Sequence, residues 1–136
     1  MKTEPADTPV FDLPIARIWM DSTRVVHMVF KPESAHGIDE ARQVIQALDQ
    51  FADGTPCPVL ANITAVTSGA DRAARQYYVS LDGGHARMGL AMAMVTTSPF
   101  HRMLGNFFSR MNKPPYPFRM FSNTESALSW LAERNK

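Results

Sequence analysis

The first half of the chain shows short apolar runs separated by polar breaks. Residues 15–20 are mostly apolar, residues 21–23 form a polar break, and residues 24–31 hold a second run rich in strand formers. Two strand-like runs this close together predict an antiparallel hairpin. Pro32 ends the second strand, because proline has no backbone N–H to give to a sheet.

From Gly37 onward the apolar positions follow helical and strand spacing in turn. A stripe with a period of about 3.6 residues over 38–52 predicts a helix, with Asp39 and Glu40 in the first turn, where anions are favoured. The later elements continue the rhythm: a strand over 58–63, a helix over 70–81, a strand over 88–97, a helix that Ser98 caps and Pro99 begins, a strand over 116–121 and a helix that Ser122 opens. The predicted order is β-β-α-β-α-β-α-β-α.

This order predicts an α/β fold with a mixed, mostly parallel sheet. Crossovers between parallel strands are right-handed almost without exception, so we expect the helices to cover the sheet. A chain of 136 residues suits one domain, which we place at residues 15–136. Residues 1–14 carry Pro5, Pro9 and Pro14 among polar groups and are expected to form a flexible N-terminal arm.

The helix that begins at Pro99 has the strongest periodicity in the chain. Its apolar stripe consists of Phe100, Met103, Leu104, Phe107, Phe108 and Met111. Such a stripe most often packs into the core of its own domain. The adjacent phenylalanines widen it, however, so it could also bury part of itself in a second subunit or line a pocket for an apolar ligand. Arg102 and Arg110 would supply a charged rim to either.

Composition excludes several classes of protein. The formal net charge of +1 argues against a general nucleic-acid binder. The longest apolar stretch, residues 88–95, is far shorter than the roughly 20 residues of a transmembrane helix, and the N-terminus has no apolar signal core, so we expect a cytoplasmic protein. Cys57 is the only cysteine, which excludes an internal disulfide, and a buried inert thiol is the favoured interpretation.

Neither metal nor cofactor binding is expected. The histidines, His27, His36, His85 and His101, show no metal-ligand spacing. No glycine-rich dinucleotide or P-loop pattern is present, so the sequence predicts no cofactor.

The order of elements at this length resembles the STAS domain (sulfate transporter and anti-sigma-factor antagonist). The C-terminal half is more narrowly similar to a bacterial STAS/SEC14-like branch, through the strand 90–95, Thr97-Ser98-Pro99, residues 104–108 (Leu-Gly-Asn-Phe-Phe) and residues 113–117 (Lys-Pro-Pro-Tyr-Pro). The resemblance covers residues 15–133. It implies a non-enzymatic regulatory or protein-interaction module, and the SEC14-like part of the name implies a lipid-like ligand.

The resemblance also implies a phosphorylation site. In STAS proteins that antagonise anti-sigma factors, a phosphorylatable serine opens the helix after the strand that residues 58–63 match. The corresponding positions here are Thr67 and Ser68, although the acidic residue that precedes the serine in the family is absent. The alternative is that these hydroxyl groups only cap a helix.

Ligands of open α/β sheets gather at the carboxyl ends of the parallel strands. The polar residues expected at that edge, together with the aromatic pair of the neighbouring helix, are Asn62, Thr64, Thr67, Ser68, Asp71, Thr97, Ser98, His101, Phe107 and Phe108. Free N–H groups at the helix starts would suit a phosphate or carboxylate there.

Three functions remain open from the sequence. The first is a non-enzymatic interaction module that binds another protein or a second copy of itself. The second is a binder of a small apolar or lipid-like ligand. The third, an enzyme, requires His101 to meet Asp71 or Ser98 within roughly 3 Å.

Overall fold

A computed structural model describes residues 9–32, 36–66, 71–79, 89–112 and 116–134. The strands are β1 (Phe11–Asp12), β2 (Ala16–Met20), β3 (Val26–Phe30), β4 (Cys57–Asn62), β5 (Gly89–Val95) and β6 (Phe118–Phe121). The helices are α1 (Ile38–Ala52), α2 (Arg72–Val79), α3 (Pro99–Asn112) and α4 (Thr124–Arg134). This is the α/β order that the sequence predicts, with one additional short strand at the start.

The six strands form one sheet in sequential order, β1-β2-β3-β4-β5-β6. The first three pair antiparallel, and β3 through β6 pair parallel. The predicted hairpin and the mostly parallel sheet are therefore confirmed.

The sequential strand order decides where the helices lie. Successive right-handed crossovers that each add one strand to the same side place their helices on the same face of the sheet. On that face, Val44 and Leu48 of α1 pack in one cluster with Met28 of β3 and Val59 of β4. Helix α4 follows the last strand and is free of this constraint. It covers the opposite face.

The opposite face has a second, smaller core. Ala127 and Leu131 of α4 are buried there with Leu60 of β4 and Ala93 of β5. Because successive side chains of a strand point to opposite faces, one strand contributes to both cores: Val59 belongs to the first and Leu60 to the second.

Three expectations about element ends are corrected. Phe11 and Asp12 pair with Ile18 and Arg17 of β2, so regular structure begins inside the segment predicted to be an arm. Helix α4 is capped by Asn123, whose Oδ1 accepts from the Ser126 N–H at 2.8 Å. Asn123 therefore takes the role predicted for Ser122, because it stands directly before the first helical residue.

Helix α2 starts later than predicted. Asp71 caps it, because its Oδ1 accepts from the Ala74 N–H at 2.9 Å and its carbonyl accepts from the Arg75 N–H at 3.0 Å. Thr67 and Ser68, the predicted phosphorylation or capping residues, lie outside the described residues.

Candidate functional site

Helix α3 begins at the carboxyl end of β5 in a turn built by hydroxyl groups. The Ser98 N–H donates to Thr96 Oγ1, and Ser98 Oγ accepts from the His101 N–H, both at 3.2 Å. Ser98 is therefore the N-cap that the sequence predicts, and Pro99 takes the first helical position, where its missing N–H costs nothing.

The apolar stripe of α3 lies on the surface. Phe100, Met103, Leu104 and Phe107 are 60, 57, 46 and 57% exposed. These four residues, the exposed α3 face, are therefore not part of the core, contrary to the more common interpretation of such a stripe. The side chains of Phe108 and Met111 lie outside the described part of the chain.

Gly105 explains how α3 packs on the sheet. A Cβ at this position would lie 2.7 Å from the sulfur of Met120 and 3.0 Å from its methyl group. Met120 is a buried residue of β6, so the backbone of α3 meets the sheet directly at Gly105. The side of α3 that packs against the sheet is thus centred on Gly105, which has no side chain. The large apolar residues of the helix face outward.

The charged residues of α3 have one sign. Residues 99–112 include Arg102 and Arg110 but no Asp or Glu. Neither arginine forms an ion pair within the residues that the structure describes. Helix α2, on the same side of the sheet, likewise has arginines and no carboxylate. On the same side of the sheet, acidic residues lie in the first turn of α1, at Asp39 and Glu40, and Asp71 caps α2.

The carboxyl ends of the parallel strands lie side by side, as expected. The Ile63 N–H donates to the Val95 carbonyl at 2.9 Å, and the Thr96 N–H donates to the Phe121 carbonyl at 3.0 Å. Asn62 and Thr64 share one turn, in which Asn62 Oδ1 accepts from the Thr64 N–H at 2.9 Å. The side chains that follow these strands are thus largely occupied in building their own turns, and Thr97 is exposed beside them.

The three side chains of the enzyme interpretation hold other partners. Ser98 Oγ accepts from the backbone of His101 and not from its ring. The Asp71 carboxylate binds the backbone of α2. Within the described residues, the imidazole of His101 has a ring contact with Phe100, at 6.1 Å between centroids, and no hydrogen bond to Asp71 or Ser98.

A polar cluster that the sequence analysis missed joins α1 to α2. His36 Nε2 lies 2.5 Å from the Tyr78 hydroxyl, and the His36 carbonyl accepts from the Asp71 N–H at 3.0 Å. Burial lowers the pKa of His36, although the carboxylates of Glu40 and Asp71 act in the opposite direction. Burial also raises the pKa of the Tyr78 hydroxyl. The lowered pKa of His36 and the raised pKa of Tyr78 both favour the uncharged forms, which share this hydrogen bond.

A second buried cluster fixes the turn between β2 and β3. The Asp21 carboxylate receives hydrogen bonds from Thr23, Val25 and His27, the last at 2.8 Å from Nε2. Burial alone would raise the pKa of Asp21, but the hydrogen bonds from Thr23, His27 and Val25 outweigh it, so the pKa lies below its ordinary value. The ring of His27 stacks on Trp19, with centroids 5.1 Å apart.

The turn is also tied to α1. Arg24, in the left-handed region with φ of 67°, donates to the carbonyls of Ala52 and Thr55, each at 3.2 Å. These carbonyls lie at the carboxyl end of α1, where a cation is favoured. The last turn of α1 has no basic residue, so Arg24 supplies the positive charge. Both polar clusters therefore act as structural ties.

Two further candidates are the Cys57 thiol and a cluster of metal ligands. Cys57 is buried in β4, and burial raises the pKa of its thiol, which matches the predicted inert role. The described residues contain no group of three or more His, Cys, Asp or Glu that could hold a metal ion. Among those same residues, no helix is both long enough and apolar enough to cross a membrane.

Comparison with solved structures defines the class of fold. The chain is similar to the crystal structure of an uncharacterised DUF3478-family protein with a SpoIIAA-like fold from Shewanella loihica PV-4, with a TM-score of 0.62 and 16% identity. The match covers 96% of this chain and 98% of that one. The fold is thus SpoIIAA-like and of STAS type, as the order of elements indicates.

The family is one of unknown function. A family model described as a domain of unknown function (DUF7793) matches residues 18–135, and the chain belongs to that family. A protein of unknown function from Arthrobacter sp. FB24 is also similar, at 22% identity over 85% of this chain and 92% of that one, with a TM-score of 0.31. None of the curated proteins matches the chain.

Proposed function

We propose that this protein is a non-catalytic docking module that works through the exposed α3 face. The observation that carries the proposal is the exposure of Phe100, Met103, Leu104 and Phe107 along one helix. Burying a large apolar side chain completely stabilises by roughly 1.5–3 kcal/mol. A partner that covers four half-exposed side chains therefore recovers several kcal/mol that the fold alone leaves unused.

The packing of α3 favours docking of a partner on its outer surface and disfavours a ligand pocket beneath it. A ligand enclosed beneath the helix needs space between α3 and the sheet. The thioether of Met120 fills the space next to Gly105, at the middle of the helix. The apolar side chains also point away from that contact, so a partner approaching from outside meets them first.

The polar residues near α3 support a non-catalytic role. Ser98, Asp71 and Asn62 each use one side-chain oxygen to accept from a nearby backbone N–H group. A catalytic pair would need two such side chains within hydrogen-bond reach of each other, whereas the imidazole of His101 forms no hydrogen bond to Ser98 or Asp71 within the described residues. These three side chains instead stabilise the starts of helices and a turn.

Photo-crosslinking tests the docking surface. A photoreactive phenylalanine analogue replaces Phe107 in one variant and the exposed Gln46 of α1 in a matched control, each expressed in the protein's own cells. We expect adducts, to protein or to lipid, from position 107 and none from position 46. Equal adducts from both positions, or none from 107, would contradict the proposal.

A stability control separates docking from folding. The double variant Phe100→Gln/Phe107→Gln should change the free energy of unfolding by less than about 1 kcal/mol, as is usual for surface positions. Leu48→Ala, at a fully buried position of α1, should cost about 2–5 kcal/mol. If the double variant lost as much free energy of unfolding as Leu48→Ala, the exposed α3 face would have to be packed in the core, and the docking proposal would be wrong.

A further inference from the structure

We infer that the surface on which the exposed α3 face docks is an anionic lipid bilayer, with α3 lying flat in the headgroup layer. The inference rests on the proposed function, since it names the partner of the same face. A helix with aromatic and aliphatic residues on one side and only cationic charges beside them binds such a surface by apolar burial and electrostatic attraction together.

The distribution of charge carries the argument. Helix α3 has Arg102 and Arg110 and no carboxylate, in a chain whose acidic and basic residues are nearly equal in number. Arg110 stands three residues after Phe107 and seven after Met103, so it shares their side of the helix. Its aliphatic stem can lie along the apolar layer while the guanidinium reaches a lipid phosphate. Arg72 on α2 adds positive charge on the same side of the sheet and forms no ion pair within the described residues.

The same charges disfavour a second copy of the chain as the partner. In a pair of α3 helices, neither copy has an Asp or Glu to neutralise Arg110 of the other. Burial of unpaired charges opposes association, whereas anionic headgroups supply the missing negative charge.

The shape of the surface favours lipid over an acidic protein. The exposed α3 face is one side of a single helix. Among the side chains described between Met103 and Arg110, one exposed polar group is present, that of Asn106. Protein interfaces combine an apolar core with a rim of directional hydrogen bonds. A headgroup layer requires only apolar area and positive charge.

Vesicle sedimentation of the full chain tests the inference. The vesicles consist of phosphatidylcholine alone or of phosphatidylcholine mixed with phosphatidylglycerol. We expect binding to the mixed vesicles that weakens as salt rises, and binding at least tenfold weaker to the neutral ones, since several arginines contribute. Arg110→Gln should weaken binding to the mixed vesicles about fivefold, the effect of one arginine near an anionic surface.

Two comparisons link binding to α3. The variant Phe100→Gln/Phe107→Gln should lose binding to the mixed vesicles, and its unchanged free energy of unfolding shows that it is folded. Arg42→Gln removes an exposed arginine from α1, beside Asp39, and should bind as the unsubstituted protein does.

Three outcomes would overturn the inference. These are absence of binding to the mixed vesicles, equal binding to both kinds of vesicle, and a dimer in analytical ultracentrifugation that dissociates on Phe100→Gln/Phe107→Gln. Failure of the docking proposal is distinguishable from each of them. If position 107 still forms protein adducts in cells while vesicles do not bind, docking stands and the lipid partner is wrong.

Discussion

The Asp21 carboxylate is a buried charge that the turn between β2 and β3 is built around. Asp21→Asn keeps the shape but presents an amide to the N–H of His27, so we expect a loss of about 2–3 kcal/mol in the free energy of unfolding at pH 7. Because the folded pKa lies below the ordinary 3.8, the contribution of the carboxylate is complete above pH 3.8 and is lost as pH falls through the folded pKa.

Urea unfolding at neutral and acidic pH measures this contribution. The gap between the unsubstituted protein and Asp21→Asn should narrow below pH 3.8. Asp53→Asn is a matched control, since Asp53 is exposed and asparagine tolerates its left-handed conformation. A gap that stays constant with pH, or an equal loss for Asp53→Asn, would refute the role assigned to Asp21.

His36 gives the free energy of unfolding a second pH dependence, which begins at less acidic pH than that of Asp21. Its folded pKa lies below the ordinary 6.5, so the unfolded chain takes up a proton first as pH falls. The protein should therefore lose stability between pH 6.5 and the lowered pKa. In His36→Gln, which does not titrate but keeps a side chain that can hydrogen-bond to Tyr78, the melting temperature should fall less over that range. His101→Gln, outside the His36–Tyr78 contact, is the matched control for the loss of a histidine, and equal effects of the two variants would contradict the role assigned to His36.

His36 and Asp21 form contacts that the sequence alone does not predict. His36 and Tyr78 are 42 positions apart, and no spacing rule relates a loop before one helix to the last turn of the next. Asp21 and His27 lie close along the chain, yet their contact depends on which face of β3 the histidine takes. Both pairs follow from strand order and register, which composition and periodicity do not specify.

Substitutions at Gly105 test how closely α3 packs against β6. Gly105→Ala should be nearly neutral, because the end of the Met120 side chain can rotate away and alanine gains about 0.5–1 kcal/mol of helix propensity. Gly105→Ile cannot be accommodated in this way and should cost about 1–3 kcal/mol by pushing the helix from β6. Met103→Ile, at an exposed position, controls for the lower helix propensity of isoleucine. Chemical denaturation of the three variants distinguishes them, and equal values for both isoleucine variants would exclude close packing at Gly105.

Helix α3 also shows what periodicity can and cannot predict. The 3.6-residue pattern correctly predicts a helix from Pro99 and an apolar stripe along it. The pattern is the same whether that stripe faces the sheet or a partner. The side that packs is decided by Gly105, which admits Met120, and a glycine on a helix surface carries no signal of its own in the sequence.

In the whole molecule, one sheet separates two cores, one on each of its faces. The crossover rule predicts parallel strands covered by helices, and it gives α1, α2 and α3 one face. It says nothing about α4, which no strand follows. The side taken by α4 depends on the apolar residues left uncovered on the other face of β4 and β5, such as Leu60 and Ala93, and these are recognised only once the register is known.

The two tryptophans report on both ends of that second face. Trp19 stacks on His27 over the antiparallel strands, and Trp130 of α4 packs on Phe121 at 5.7 Å between ring centroids. If residues 15–136 unfold as one cooperative unit, the single-tryptophan variants Trp130→Phe and Trp19→Phe should each unfold at the same denaturant concentration by fluorescence and by circular dichroism. Each variant is compared with its own circular dichroism, so a difference in overall stability between them does not affect the result. A fluorescence midpoint for Trp130 below the circular dichroism midpoint of the same variant would mean that α4 detaches first. Only two residues of α4, Ala127 and Leu131, are buried. Because so few buried side chains hold α4 on the sheet, this helix gives a demanding test of whether the domain unfolds cooperatively.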